Sequence, residues 1–188
     1  VALWPGAGSS SEHPTLVALA EGLAPLPVAR LDFPYRRAGR RAPDRAPVLM
    51  ASVRAEVDEL ATRLGVPPGR IVLGGRSMGG RICSMVAAGA DGAEPLACAG
   101  LVLISYPLHL PGRPERRRVE HLPDVRVPVL SIAGDRDPFG TPEELAEALS
   151  AVPGPVTTVT IPGGRHELRG ADERIVTAVR SWLGVLPG

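Results

Sequence analysis

The sequence predicts an α/β protein, a mostly parallel sheet with helices on both faces. Six short apolar runs, at residues 1–4, 28–33, 71–73, 101–105, 127–132 and 156–161, alternate with segments of helical periodicity. Between the second and third runs, Leu49, Val53, Val57, Leu60 and Leu64 recur at steps of three and four, which gives one apolar stripe along a helix. At 188 residues, with no internal repeat and no break in composition, the chain reads as a single domain over residues 1–188 with a substantial core.

Taken in order, the first run opens into Pro5-Gly6-Ala7-Gly8-Ser9-Ser10-Ser11, a loop whose backbone N–H groups carry little side-chain obstruction and so suit an oxyanion. A helix follows near residues 14–23, with Pro14 in a first-turn position. After the second run, residues 34–47 hold Arg36, Arg37, Arg40, Arg41 and Arg45; a solvated surface loop is preferred over an anion-binding rim. The striped helix stops before Gly65 and Pro67-Pro68. The third run meets a glycine-flanked serine and a helix over residues 77–88. The connection at residues 106–128, with Arg116-Arg117-Arg118 in its middle, is too short for a large lid. The fifth run is followed by a helix over residues 142–152, with Thr141 as N-cap, and the sixth by a helix over residues 171–183.

Composition narrows the classes of function. A net charge of +1 gives no global case for nucleic acid or an anionic membrane as partner. All 21 basic residues are arginine, and Lys, Asn and Gln are absent, a pattern of GC-rich coding before it is one of function. Cys83 and Cys98 have no metal-ligand or disulfide-framework spacing, and a reducing cytoplasm is expected. The longest apolar run, near residues 101–104, is far too short to span a bilayer. No signal peptide is visible, although a start at Val1 without methionine leaves an upstream targeting segment open.

The chemistry concentrates at three strand ends. Gly75-Arg76-Ser77-Met78-Gly79 is G-x-S-x-G in a strand-turn-helix setting, the requirement of a nucleophile elbow. A serine hydroxyl needs a positioned base, and the base needs an acid to fix its tautomer. The fifth run ends in Ala133-Gly134-Asp135-Arg136-Asp137-Pro138-Phe139-Gly140 and the sixth in Pro162-Gly163-Gly164-Arg165-His166. Asp137 is preferred as the acid because it lies further out of its strand and Pro138 fixes the backbone after it; Asp135 is expected to shape the turn by bonding nearby N–H groups. Of four histidines, His166 alone has the right order and loop. His13 is read as a capping or surface residue, His109 as surface or structural, and His121 as a solvated helix end. Cys83 is read as packing. The oxyanion donors expected are the N–H of Met78, which begins the helix after Ser77, and that of Ala7. No metal or organic cofactor is implied.

These residues resemble an α/β-hydrolase family: small, lidless members related to dienelactone hydrolases, the branch that includes the hydrolase-like subunit of a histone-acetyltransferase complex. The resemblance covers nearly the whole chain. It lies in Pro5-Gly6-Ala7-Gly8 (His-Gly-Ala-Gly in many members), Phe33-Pro34-Tyr35, Pro43-Asp44-Arg45-Ala46-Pro47, the elbow from Gly75 through Arg81, Tyr106-Pro107-Leu108-His109, residues 134–140 with the following Thr141-Pro142-Glu143-Glu144-Leu145, and Gly164-Arg165-His166. It implies an α/β-hydrolase fold and a triad of Ser77, Asp137 and His166, in agreement with the reading of the residues themselves. It implies no particular substrate. Pro5 stands where the family usually has histidine, the nucleophile is serine where dienelactone hydrolase proper has cysteine, and the strands that usually precede the first run have no counterpart, as in a partial chain.

The expected activity is a serine hydrolase cleaving a carboxylic ester or related acyl bond of a small soluble substrate. Thioesterase or peptidase chemistry would use the same triad. A non-catalytic interaction module is the rival; Pro5 and the arginine-rich loop favour it and the intact triad opposes it. Nothing in the sequence specifies an oligomeric state.

Overall fold

The computed structural model describes residues 1–186. Its strands are β1 (Ala2–Trp4), β2 (Ala29–Arg30), β3 (Val72–Arg76), β4 (Gly100–Ile104), β5 (Val129–Gly134) and β6 (Val156–Ile161). Its helices are α1 (Pro14–Gly22), α2 (Pro34–Arg37), α3 (Ala46–Leu64), α4 (Met78–Ala87), α5 (Pro142–Leu149) and α6 (Asp172–Leu183). The strands form one sheet in the order β2-β1-β3-β4-β5-β6, and every pair is parallel. From β1 the chain turns to one side for β2 and then crosses to the other for β3. That reversal opens a crevice at the carboxyl ends of β1 and β3, where open α/β sheets bind ligands.

Alternation along the strands divides the core between the two faces. Trp4, Leu73, Leu101, Leu103 and Val129 pack with α3, α4 and α5, while Leu3, Val72, Val102, Ile104, Leu130 and Ile132 pack with α1 and α6. Covered on both faces, the central strands read as continuous apolar runs without alternation, and it is as such runs that the sequence located them. The stripe on α3 is buried at Leu49, Val53, Val57 and Leu60, whereas Leu64, in the last turn, is 51% exposed. Gly65 ends the helix at φ 65°, with its N–H returned to Ala61 and Thr62 carbonyls. Thr141 caps α5 in a reciprocal capping box with Glu144, as its sequence position suggests.

Three local expectations change. The second strand is only Ala29–Arg30, because β1, its sole neighbour, ends two residues after pairing with it begins. The arginine-rich segment opens with a single helical turn, α2, whose Pro34 pre-sets φ at the first position. His121 is not at a solvated helix end. It is 6% exposed, precedes a 3₁₀ turn at Leu122–Asp124, and lies 2.8 Å from Ser84 Oγ through Nε2. Burial first, and the nearby Arg81 charge second, push its imidazole down to about 4.

Among the described residues no large lid covers the sheet. The 106–128 connection folds back on itself, with Tyr106 Oη donating to the Arg118 carbonyl at 2.7 Å and Arg118 N–H donating to the Leu108 carbonyl at 2.8 Å. Burial raises the Tyr106 phenol to about 12, so it remains a neutral donor.

Candidate active site

Strand β3 runs directly into the serine. Ser77 is the N-cap of α4 at φ 50° and ψ −116°, a backbone state that L-residues rarely hold and that costs about 1–3 kcal/mol. The flanking glycines make the turn feasible. A Cβ at Gly75 would stand 2.0 Å from the Trp4 carbonyl oxygen, and one at Gly79 would stand 2.2 Å from the same atom. Only glycine lets β1 come this close to both sides of the elbow. The Ser77 N–H donates to the Ile104 carbonyl of β4 at 2.7 Å, and its own carbonyl accepts from Arg81 N–H at 3.1 Å, so the strained residue is tied to the sheet and to the helix.

The expected acid and base converge on this serine. His166 Nε2 lies 2.9 Å from Ser77 Oγ, and Nδ1 lies 2.8 and 3.0 Å from the two carboxylate oxygens of Asp137. Because Asp137 accepts through both oxygens, the imidazole proton sits on Nδ1 and the Nε2 lone pair faces the serine hydroxyl. Asp137 is 4% exposed and also accepts the Phe139 N–H at 2.9 Å, which fixes the carboxylate plane. The ring of Phe139 covers the imidazole at a centroid distance of 4.1 Å and a tilt of 31°. Asp135, by contrast, is exposed, and it is Asp137 and not Asp135 that takes the turn amide.

The loop after β1 is compact despite Pro5. Gly8 at φ 72° lets Ser9 N–H return to the Gly6 carbonyl at 3.1 Å, and Gly8 N–H donates to Tyr35 Oη at 3.3 Å. Among the described residues, neither the Ala7 N–H nor the Met78 N–H has an acceptor, and Met78 opens α4, where helix N–H groups are free by construction. Pro5 itself is buried and contributes no N–H to this loop.

None of the other histidines is bonded to Ser77 among the described residues. His13 caps α1, its Nδ1 accepting from Thr15 N–H at 3.2 Å, and burial lowers its pKa. His109 is buried, with Nδ1 2.9 Å from the Leu110 carbonyl, and its N–H holds the Phe139 carbonyl at 3.1 Å. Both thiols are buried; Cys83 is raised well above the ordinary thiol range and Cys98 to about 11, with burial the main cause in each. A residue that the sequence left unremarked, Arg76, reaches the His166 carbonyl. Its place inside the serine motif was visible, but G-x-S-x-G leaves the position between glycine and serine unspecified, so the motif gave Arg76 no role. No group of three or more His, Cys, Asp or Glu side chains is gathered as a metal site among the described residues, and no described helix is long and apolar enough to cross a membrane. A cavity of about 570 Å³ lies at the other end of the sheet, lined by Val1, Leu26, Leu60, Leu64 and Val66, remote from the carboxyl-end cluster.

A parallel sheet with a glycine-flanked serine elbow at the end of a central strand defines an α/β hydrolase fold. The profile described as "Alpha/beta hydrolase domain" matches residues 1–182, and the chain belongs to that family. Among solved structures, the chain is similar to Est1E from Butyrivibrio proteoclasticus with ferulic acid bound, at 19% identity and a TM-score of 0.76, covering 97% of this chain and 86% of that one. It is similar to dienelactone hydrolase from Anabaena variabilis at 21% identity and a TM-score of 0.76, covering 100% and 86%. It is also similar to the RedJ thioesterase from the prodiginine pathway of Streptomyces coelicolor at 18% identity and a TM-score of 0.70, covering 96% and 88%. At these identities the likeness is one of fold.

Proposed function

We propose that the protein is a serine hydrolase that cleaves a carboxylic ester, or a related acyl bond, of a small substrate through an acyl-enzyme. The observation that carries this reading is the unbroken line Asp137–His166–Ser77, with each bond between 2.8 and 3.0 Å and the serine on a strained elbow. Ser77 Oγ attacks the acyl carbon while His166 Nε2 takes its proton. The Asp137 carboxylate stays ionised and stabilises the imidazolium. The oxygen that gains charge is met by the N–H groups of Ala7 and Met78, each worth about 3 kcal/mol of barrier. His166 then returns the proton to the leaving oxygen, and the same histidine activates a water that releases the acid from the serine.

The relatives support the breadth of the acyl class. A lactone and a thioester both present an electrophilic acyl carbon, and the structures named for those substrates share this fold. We place the activity in the cytoplasm, where two unpaired cysteines remain reduced.

A fluorophosphonate probe tests the proposal. The folded protein should be labelled, and Ser77→Ala should abolish labelling and lower p-nitrophenyl ester turnover on the order of 10³-fold or more. A folded protein that neither labels nor loses ester hydrolysis on Ser77→Ala overturns the reading. Parallel assays on esters, thioesters and peptide amides assign the acyl class.

A further inference from the structure

Arg76 is the last residue of β3 and is 4% exposed. Its Nη2 donates to the His166 main-chain carbonyl at 2.7 Å and lies 2.9 Å from Glu167 Oε2. Its Nη1 lies against the loop after β1, 3.3 Å from where a Cβ on Gly6 would stand. Its Nε is buried with no acceptor among the described residues. Such a guanidinium is costly to bury, and an apolar side chain would serve packing alone at least as well. Glu167 is 54% exposed at its side chain, so the ion pair does not offset that cost. What the site retains is the charged hydrogen bond to the histidine turn.

The imidazole of His166 is fixed at its ring by Asp137 and Phe139, both from the loop after β5. The backbone of the turn is tied to the loop after β5 at Gly164, whose carbonyl accepts from Arg136 N–H at 2.8 Å, and at the histidine itself the main-chain carbonyl is held by Arg76. His166 follows β6, and in the sheet order β4 and β5 stand between β6 and the strand that carries Ser77. Arg76 spans this interval by linking the residue immediately before the serine to the main chain of the histidine itself. We propose that Arg76 is a positioning residue: it holds the His166 turn, and with it the Ser77 Oγ to His166 Nε2 distance, while packing against the loop after β1. This inference rests on the proposed roles of Ser77 and His166.

The test uses the full chain carrying Arg76→Met or Arg76→Lys, with Arg54→Met, which removes only a surface pair with Asp91, as control. The readouts are kcat and KM on a p-nitrophenyl ester, the thermal midpoint, and the low-field proton resonance of the hydrogen bond between His166 Nδ1 and Asp137. Arg76→Met should lower kcat on the order of 10- to 100-fold, the cost of a misplaced base, with KM within about 2-fold and the resonance broadened by exchange. Arg76→Lys keeps the charge but loses the planar fork, and should recover only part of kcat. Arg54→Met should match the parent protein in every readout. Folded Arg76→Met with parental kcat and a sharp resonance overturns the proposal. If that variant does not fold, Arg76→Lys decides: parental kcat and an unchanged resonance overturn it. A parent protein with no ester hydrolysis would instead overturn the proposed function, and the resonance would still report whether Arg76 holds His166.

Discussion

Ser77 and His166 approach to 2.9 Å, and Ser84 and His121 approach to 2.8 Å. Both serines belong to one helix, Ser77 as N-cap of α4 and Ser84 within it, about two turns further along. Separation does not distinguish the pairs; the remaining hydrogen bonds do. The single hydroxyl proton of Ser84 goes to the Arg81 carbonyl at 2.8 Å, so its oxygen can only accept from His121 Nε2. In the other pair the ring proton is drawn to Asp137, which leaves Nε2 as acceptor for the Ser77 hydroxyl. No carboxylate bonds the His121 ring among the described residues, and Ser84 is fully buried where His166 and Ser77 are partly open. On the proposed mechanism one pair moves a proton, while the other holds the fold together. A serine–histidine contact becomes a nucleophile only through what stands behind the histidine.

The contrast is broken most directly at the carboxylate. On the proposed mechanism, Asp137→Asn reverses the tautomer of His166 and should lower kcat on the order of 10³- to 10⁴-fold, whereas Ser84→Ala should leave kcat within about 3-fold; equal losses in steady-state assays would erase the distinction. A smaller effect lies in acid stability. His121 titrates at 6.5 when unfolded and near 4 when folded, so between those values the unfolded chain binds more protons and stability falls as pH falls. From pH 7 to pH 5 this group should cost about 2 kcal/mol in urea unfolding, and His121→Gln, which keeps a donor for Ser84, should flatten that slope. Smallest is the hydroxyl itself: Ser84→Ala should lower stability at pH 7 by about 1–2 kcal/mol, because it leaves the His121 N–H without an acceptor.

Much of this architecture was legible from residue order. Central strands announced themselves as unbroken apolar runs because both faces are covered, and α3 through its stripe and Gly65. The meeting of Ser77, Asp137 and His166 was legible because each follows its own strand, and a parallel sheet gathers such ends on one side. What escaped depends on contacts between distant residues. His121 looked solvated beside Glu120, yet its partner Ser84 lies 37 positions earlier and its burial comes from the surrounding fold. Arg76 occupies a position that the serine motif leaves free, and its partner is 90 positions away. The turn assignment between Asp135 and Asp137 went the other way because one carboxylate can serve the histidine and the Phe139 amide together.

The histidine turn also works as a cantilever. Neighbouring strands stand about 4.8 Å apart, so a group leaving β6 has some 14 Å to recover before it meets the end of β3. The turn makes up part of that distance by lying across the tip of β5: Arg136 N–H donates to the Gly164 carbonyl at 2.8 Å, and a Cβ on Gly134 would stand 2.1 Å from that same oxygen. Each residue of extended chain advances about 3.3–3.6 Å, longer than the bond that joins His166 to Ser77. Length between Ile161 and His166 is therefore metered to less than one residue: an insertion or deletion there would displace the imidazole by more than the 2.9 Å that separates it from Ser77.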